Sequence, residues 1–135
     1  MKLLLDTHVL IWALTDSPHL CSEVRDMIIS PENQVCFSTA SLWEVAIKNQ
    51  KSPDKCPYLE TDLLAWCREA QYECLSVTPA HILAIRNLHV LEGHTLANLD
   101  PFDRLLLAQA KSERGILLSH DRNFSNYQED CLHLF

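Results

Sequence analysis

Five acidic residues stand where apolar runs of this chain give out: Asp6, Glu44, Asp100, Asp103 and Asp121. Ionised carboxylates only accept hydrogen bonds. Several in one place cannot all stay charged, because each raises the pKa of its neighbours. A hard divalent cation such as Mg²⁺ or Mn²⁺ removes that conflict, since these ions prefer oxygen donors. An ion held this way activates a water and stabilises charge developing on a phosphoryl group. If the fold unites the five residues, the chemistry within their reach is metal-dependent hydrolysis of a phosphoester.

The elements that must position them follow from the apolar pattern. Short apolar runs alternate with longer amphipathic ones, which is the signature of βα units and a parallel sheet. Leu3-Leu4-Leu5 reads as a buried, central first strand, followed by helices over Val9–Leu14 and Ser22–Ile29. Val35–Ser38 reads as a second strand leading into a helix from about Ser41 to Lys51. Pro53 and Pro57 make the stretch from Ser52 to Pro57 a loop. Helices are expected over Leu59–Ala70 and Pro79–Leu88, the latter capped by Thr78, with a strand over Cys74–Val77 between them. Residues 90–99 show no clear period. A helix over Pro101–Arg114, capped by Gly115, precedes a strand at Ile116–Ser119 and an edge strand at Cys131–Leu134. The spacing predicts an α/β fold in one domain, residues 1–135. In such sheets the carboxyl ends of the strands share one edge, where binding sites are built. Acids distant in sequence would meet there.

Each acid also has a structural role open to it. Asp6, with Thr7 beside it, suits an N-cap as well as a metal ligand. Ser41-Leu42-Trp43-Glu44 matches a capping box, which would occupy Glu44 unless the helix begins nearer Ser38. Asp100-Pro101 reads as N-cap and first helical residue. Asp103 then stands at the third position, where its charge suits the helix dipole without being required. Asp103 is therefore the expected ligand, and Asp100 a cap, an outer-shell group or the alternative ligand. Asp121 suits an Asx-turn or a ligand role, with Ser119 and Asn123 offering neutral oxygens for bound water.

Composition limits the rest. With 47% hydrophobic residues and two glycines, 135 residues form a real core without staples. The six cysteines lack any Cys-x-x-Cys pair, and nothing suggests export, so reduced thiols acting as small apolar residues are expected. No apolar run nears the roughly 20 residues that span a membrane, and a cytoplasmic protein is the expectation. A net charge of −7 does not advertise a nucleic-acid binder, so a polynucleotide would need local cations or an oligomeric surface.

Four stretches carry a family likeness: Leu3 to His8, Ser38 to Lys48, Asp100-Pro101-Phe102-Asp103-Arg104 with the helix to Ala110, and Leu118 to Phe124. They resemble the PIN domain, and most closely its bacterial VapC-type toxin branch. The resemblance implies a three-layer α/β/α sandwich around a central, mostly parallel sheet. It implies an Mg²⁺- or Mn²⁺-dependent ribonuclease with Asp6, Glu44, Asp103 and Asp121 as catalytic and metal-binding quartet. Thr7 and Ser119 would be supporting hydroxyls. It also implies a homodimer and a small antitoxin that blocks the site and often binds operator DNA. Gly93 to Leu99 looks longer than the family pattern, and Ser52 to Pro57 lacks its usual glycine.

Several residues near the acids stay open to two readings. His8 and His120 suit a substrate or proton-transfer role, or an ordinary surface one. Arg104 and Arg122 would pair with the carboxylates or contact phosphate. Lys48, Lys51 and Lys55 would form a basic rim for RNA, or simply a solvated helix face. Trp12, Trp43 and Trp66 are expected in core or dimer contacts more than in base stacking. A phosphatase using Asp6 as nucleophile lacks the second Asp it would need at position 8, where His8 stands. A non-catalytic binding protein that uses the acids for ion-dependent partner docking is the remaining alternative.

Overall fold

Leu3, Leu4 and Leu5 are all buried because the strand they form has neighbours on both sides. In the computed structural model, which describes residues 1–135, β1 (Lys2–Leu5) is the middle strand of five. The others are β2 (Gln34–Ser38), β3 (Glu73–Leu75), β4 (Ile116–Ser119) and β5 (Leu132–Leu134). Their order is β3-β2-β1-β4-β5 and every pairing is parallel. Leu4 sits opposite Cys36 on one side and Leu117 on the other.

Alternation along β1 divides the core. Leu3 and Leu5 join a cluster with Val9, Leu10, Val24, Ile28, Leu63 and Cys67, from α1 (Thr7–Leu14), α2 (Ser22–Ile29) and α4 (Glu60–Glu69). Leu4 joins the opposite cluster with Leu106, Leu107 and Ala110 of α6 (Pro101–Ser112). The short α5 (Pro79–Ala84) packs against α6 on that face. Between the faces, α3 (Thr39–Lys51) gives Val45 to the first cluster and Ala40 to the second. The result is a three-layer α/β/α fold.

The helix expected over Pro79–Leu88 is α-helical only to Ala84 and tightens into a 3₁₀ turn at Ile85–Asn87. Two further helix ends differ from expectation. The first is the start of α3, which the Ser41-to-Glu44 pattern places at Ser41. Ser38 is the actual N-cap, its Oγ accepting from the Ala40 N–H at 3.0 Å. Ser41 is thereby buried inside the helix, and Glu44 falls in the second turn, free of capping duty.

The second is the end of α6. Gly115 does not supply the left-handed residue; Arg114 does, at φ 55°. The Gly115 N–H reaches Ala110 O and the Arg114 N–H reaches Lys111 O, which is a Schellman closure. Gly115 is needed for another reason: a Cβ there would lie 2.8 Å from the Lys2 carbonyl oxygen of β1. The same closure ends α4 with Gln71 at φ 63°, its following Tyr72 N–H bonded to Cys67 O.

The loop Ser52 to Pro57 closes without glycine, through Lys55 and Cys56 N–H groups on Ser52 O. Residues 90–99 contain a 3₁₀ turn at Leu96–Asn98, and Val90 bridges antiparallel to Tyr127. All six cysteines are free, and burial pushes the Cys36 thiol up to about 11, so it behaves as an apolar residue. No helix is long and apolar enough to cross a membrane.

Candidate active site

The carboxyl end of β1 carries the first acid. Asp6 is buried, its N–H donating to Leu118 O of β4 at 3.0 Å. Its Oδ1 accepts from the Thr7 N–H at 2.8 Å, which starts α1, while Oδ2 accepts from Ser119 Oγ at 2.7 Å. Cap and site roles are therefore filled by different oxygens of one carboxylate. Ser119 Oγ in turn accepts from the Asp121 N–H at 3.0 Å, tying the ends of β1 and β4 together.

Glu44 arrives from α3. Its Oε1 accepts from Thr7 Oγ1 at 2.6 Å, and Thr7 Oγ1 lies 2.9 Å from the buried Ser41 hydroxyl. Oε2 is paired with Lys48 Nζ at 2.8 Å, one helical turn away. Burial alone would lower the Lys48 pKa, but the Glu44 hydrogen bond and the charges of Glu44, Asp100 and Asp6 outweigh it and keep the ammonium protonated.

At the start of α6 the two aspartates divide their work. Exposed Asp100 caps the helix, its Oδ1 accepting from the N–H groups of Phe102 (2.9 Å) and Asp103 (3.1 Å). Asp103 is half-buried and its carboxyl is pushed up to about 8. Burial is the largest cause, followed by the negative charges of Asp6, Asp100, Asp121 and Glu44. The Asp6 carboxyl is raised as well, chiefly by burial, although Ser119 and Thr7 pull it back. All five acids thus share one electrostatic neighbourhood.

Asp121 caps the 3₁₀ turn Arg122–Asn126 by accepting from the Asn123 N–H at 2.9 Å. Asn123 is exposed and reaches the site through that backbone group. The carboxyl groups stand further apart than one coordination shell allows: no three of the chain's Asp, Glu, His or Cys groups are spaced to share an ion. In chemistry the set fits a hard divalent cation, being oxygen-only, with the Asp103 carboxyl pushed up by burial and then by the charge of its neighbours.

Some neighbours depart from expectation. Neither Arg104 nor Arg122 forms an ion pair. Arg104 Nε and Tyr127 OH are instead buried without partners behind Asp103, whose charge, after burial, raises the tyrosine pKa. Trp43 is 61% exposed and meets Phe102 edge-on at 5.3 Å, so it is not a core residue. Ser41 and Gln109 are supports the sequence did not single out. Gln109 Oε1 accepts from Ser38 Oγ at 2.6 Å and its Nε2 approaches Leu75 O at 3.4 Å, joining α6 to the ends of β2 and β3. The available signal was an amide on the buried face of α6, six residues after Asp103.

Comparison with known proteins agrees with this architecture. A PIN domain family model matches residues 3–130. No curated protein matches the chain by sequence. Among solved structures, DNA-bound VapBC2 from Rickettsia felis is similar with a TM-score of 0.68 at 17% identity, covering 100% of this chain and 98% of that one. DNA-bound VapBC from Salmonella typhimurium gives 0.64 at 18%, with 100% and 97% covered. VapBC-1 from nontypeable Haemophilus influenzae gives 0.61 at 15%, with 99% and 98% covered. At such identities the structures speak for the fold, while the family model reaches from the central strand past Asp121 and takes in all five acids. By that match the chain belongs to the PIN domain family.

Proposed function

We propose that this chain is the toxin of a toxin–antitoxin pair, an Mg²⁺- or Mn²⁺-dependent endoribonuclease that hydrolyses RNA phosphodiester bonds. The observation that carries the reading is Asp103, whose carboxyl is driven up to about 8 by burial and by four surrounding carboxylates. A group so placed, at the sheet edge where α/β folds keep their sites, has a physical rationale for function.

Asp6, Glu44, Asp103 and Asp121 would hold the cation partly through its retained waters, which span the spacing of their carboxyl groups, with Asp100 as an outer group or alternative ligand. When bound, the cation supplies neutralising charge and polarisation of the attacked phosphate and its water. The chain's own residues prepare the place. Ser119 fixes one oxygen of Asp6, and the Thr7 N–H fixes the other. Thr7 Oγ1 aims Glu44 through one carboxylate oxygen, and Lys48 pairs with the other. Such outer-shell bonds orient ligands and raise metal affinity.

Single-stranded or looped RNA suits an open cleft better than a duplex, because its bases and phosphates are accessible. The likeness to VapBC complexes supports an antitoxin partner, and two of those complexes are bound to DNA. Homodimer formation and a cytoplasmic location belong to the same reading. The exposed pair Trp43 and Ile47, one turn apart on α3, would suit a dimer contact.

The test is cleavage of total cellular RNA by purified, antitoxin-free protein in Mn²⁺, with a chelator and Asp103→Asn as controls. Wild type should give discrete fragments, and the variant should be at least about a hundred-fold slower. Intact RNA in every lane, from protein shown to be folded, would leave the non-catalytic binding protein as the better reading.

A further inference from the structure

Beside the acidic centre runs a groove of about 660 Å³, walled by α1, the turn after it, the end of α3 and the loop that follows. It opens from Thr7 and Lys48, the two residues that hold Glu44. No Asp or Glu lines it, although the whole chain carries a net charge of −7. Three of the five lysines lie on it: Lys48, Lys51 and Lys55. Lys2, Lys48 and Lys111 each pair with a carboxylate, so the two lysines without one, Lys51 and Lys55, are both in this groove. Their exposed ammonium groups are the unpaired lysine charge of this groove.

The opposite wall is aromatic. Half-buried Trp12 is met by His19 at 5.3 Å, by His120 at 5.6 Å and by His8 at 6.2 Å between ring centroids. Packing holds the indole, with His8 and His19 tilted against it by 33° and 30° and His120 set edge-on at 64°; His8 and His19 line the groove beside it. A positively charged track facing an aromatic platform is the arrangement that holds single-stranded nucleic acid without regard to sequence.

We propose that this groove is the seat of the RNA strand flanking the scissile bond, with phosphates on Lys51 and Lys55 and a base stacked at Trp12. The inference rests on the ribonuclease reading and adds where its substrate lies. It also accounts for an acidic protein handling a polyanion: the repulsive cluster is confined to one end of a locally cationic channel. Lys48, already committed to Glu44, marks the boundary between the two.

The test is binding of a short fluorescein-labelled single-stranded RNA, followed by anisotropy in the Asp103→Asn background with Mg²⁺ present. Trp43→Phe and Trp66→Phe leave Trp12 as the sole indole. RNA should quench its fluorescence, and Trp12→Ala should weaken binding roughly ten-fold. Lys51→Glu with Lys55→Glu should weaken it further. It should also flatten the log–log salt dependence by about 0.7 for each lost phosphate contact. Both lysines are exposed, so the charge change leaves folding intact, which circular dichroism verifies.

Affinity and salt slope unchanged in the lysine pair, or an indole indifferent to bound RNA, would overturn the assignment. If wild type still cuts RNA in that case, the ribonuclease reading survives, the strand enters elsewhere, and the groove is a protein-partner surface. If wild type neither binds nor cuts RNA, both proposals fall together.

Discussion

Asp103 holds a proton that an exposed aspartate would have lost, and stability must record it. Its carboxyl titrates at about 8 in the folded chain and at about 3.8 when unfolded. Between those values the folded state binds more protons than the unfolded one, so stability falls as pH rises through the window. In chelator, the melting temperature should therefore drop from mildly acid pH toward pH 8. Asp103→Asn should flatten that dependence and melt higher than wild type at the alkaline end, while losing cleavage. Added Mg²⁺ should restore the wild-type melting temperature at pH 8 and do less for the variant. A wild-type melting temperature that rose across the same window would contradict the charge cluster. The aspartate pair was legible in sequence because Asp-Pro accounts for one acid and leaves the other unexplained. The supports were not: Ser41 resembled a cap, and Gln109 is one amide among apolar neighbours whose partner lies 71 positions away.

Helix ends show which local rules prevailed. Arg114 and Gln71 adopt left-handed backbone that L-residues avoid, because the next strand must begin at once. Replacing Arg114 with Gly should stabilise the protein by roughly 0.5–1 kcal/mol. Gly115→Ala should destabilise it by about 1–3 kcal/mol, since its Cβ would press on the Lys2 carbonyl. Chemical denaturation of the two variants decides this; equal effects would remove the distinction between neighbouring positions. Sequence alone marks a glycine after a helix as a left-handed cap, and the close approach of β1 is invisible without the sheet. The strands were easier to read, being apolar runs between acids and turn residues. Cys131–Leu134 differs from the observed β5 by only one residue, whereas Cys74–Val77 overlaps β3 only at Cys74 and Leu75. The basic rim of Lys48, Lys51 and Lys55 was legible as one of two readings, but the aromatic side of the groove beside it was not. Its walls come from α1 and from the end of α3, which only the fold brings face to face.

At the scale of the molecule, the last third of the chain is pinned by one buried carboxylate. Glu129, its side chain 6% exposed, accepts from Lys111 Nζ at 2.9 Å and from the His89 N–H at 2.9 Å. Burial would raise its pKa, but these hydrogen bonds outweigh that and hold it below the usual glutamate range. The stabilisation is present above the unfolded value of 4.5 and is lost as pH falls through the lower folded one. Lys111→Met strands the charge and should cost about 2 kcal/mol, a figure reduced because the lysine is 33% exposed. Adding Glu129→Leu should recover much of that loss in urea unfolding, and no recovery would mean that the pair does not anchor the segment. The hydrogen bond from Ser119 to Asp6 spans 113 positions and has a consequence during synthesis. The first strand made is the central one, and the second oxygen of its carboxylate waits for Ser119 of β4, while the first already has the Thr7 N–H. A nascent chain still short of Ser119 therefore carries scattered aspartates and no centre. If the ribonuclease reading holds, the message being translated meets no assembled centre until that strand has left the ribosome.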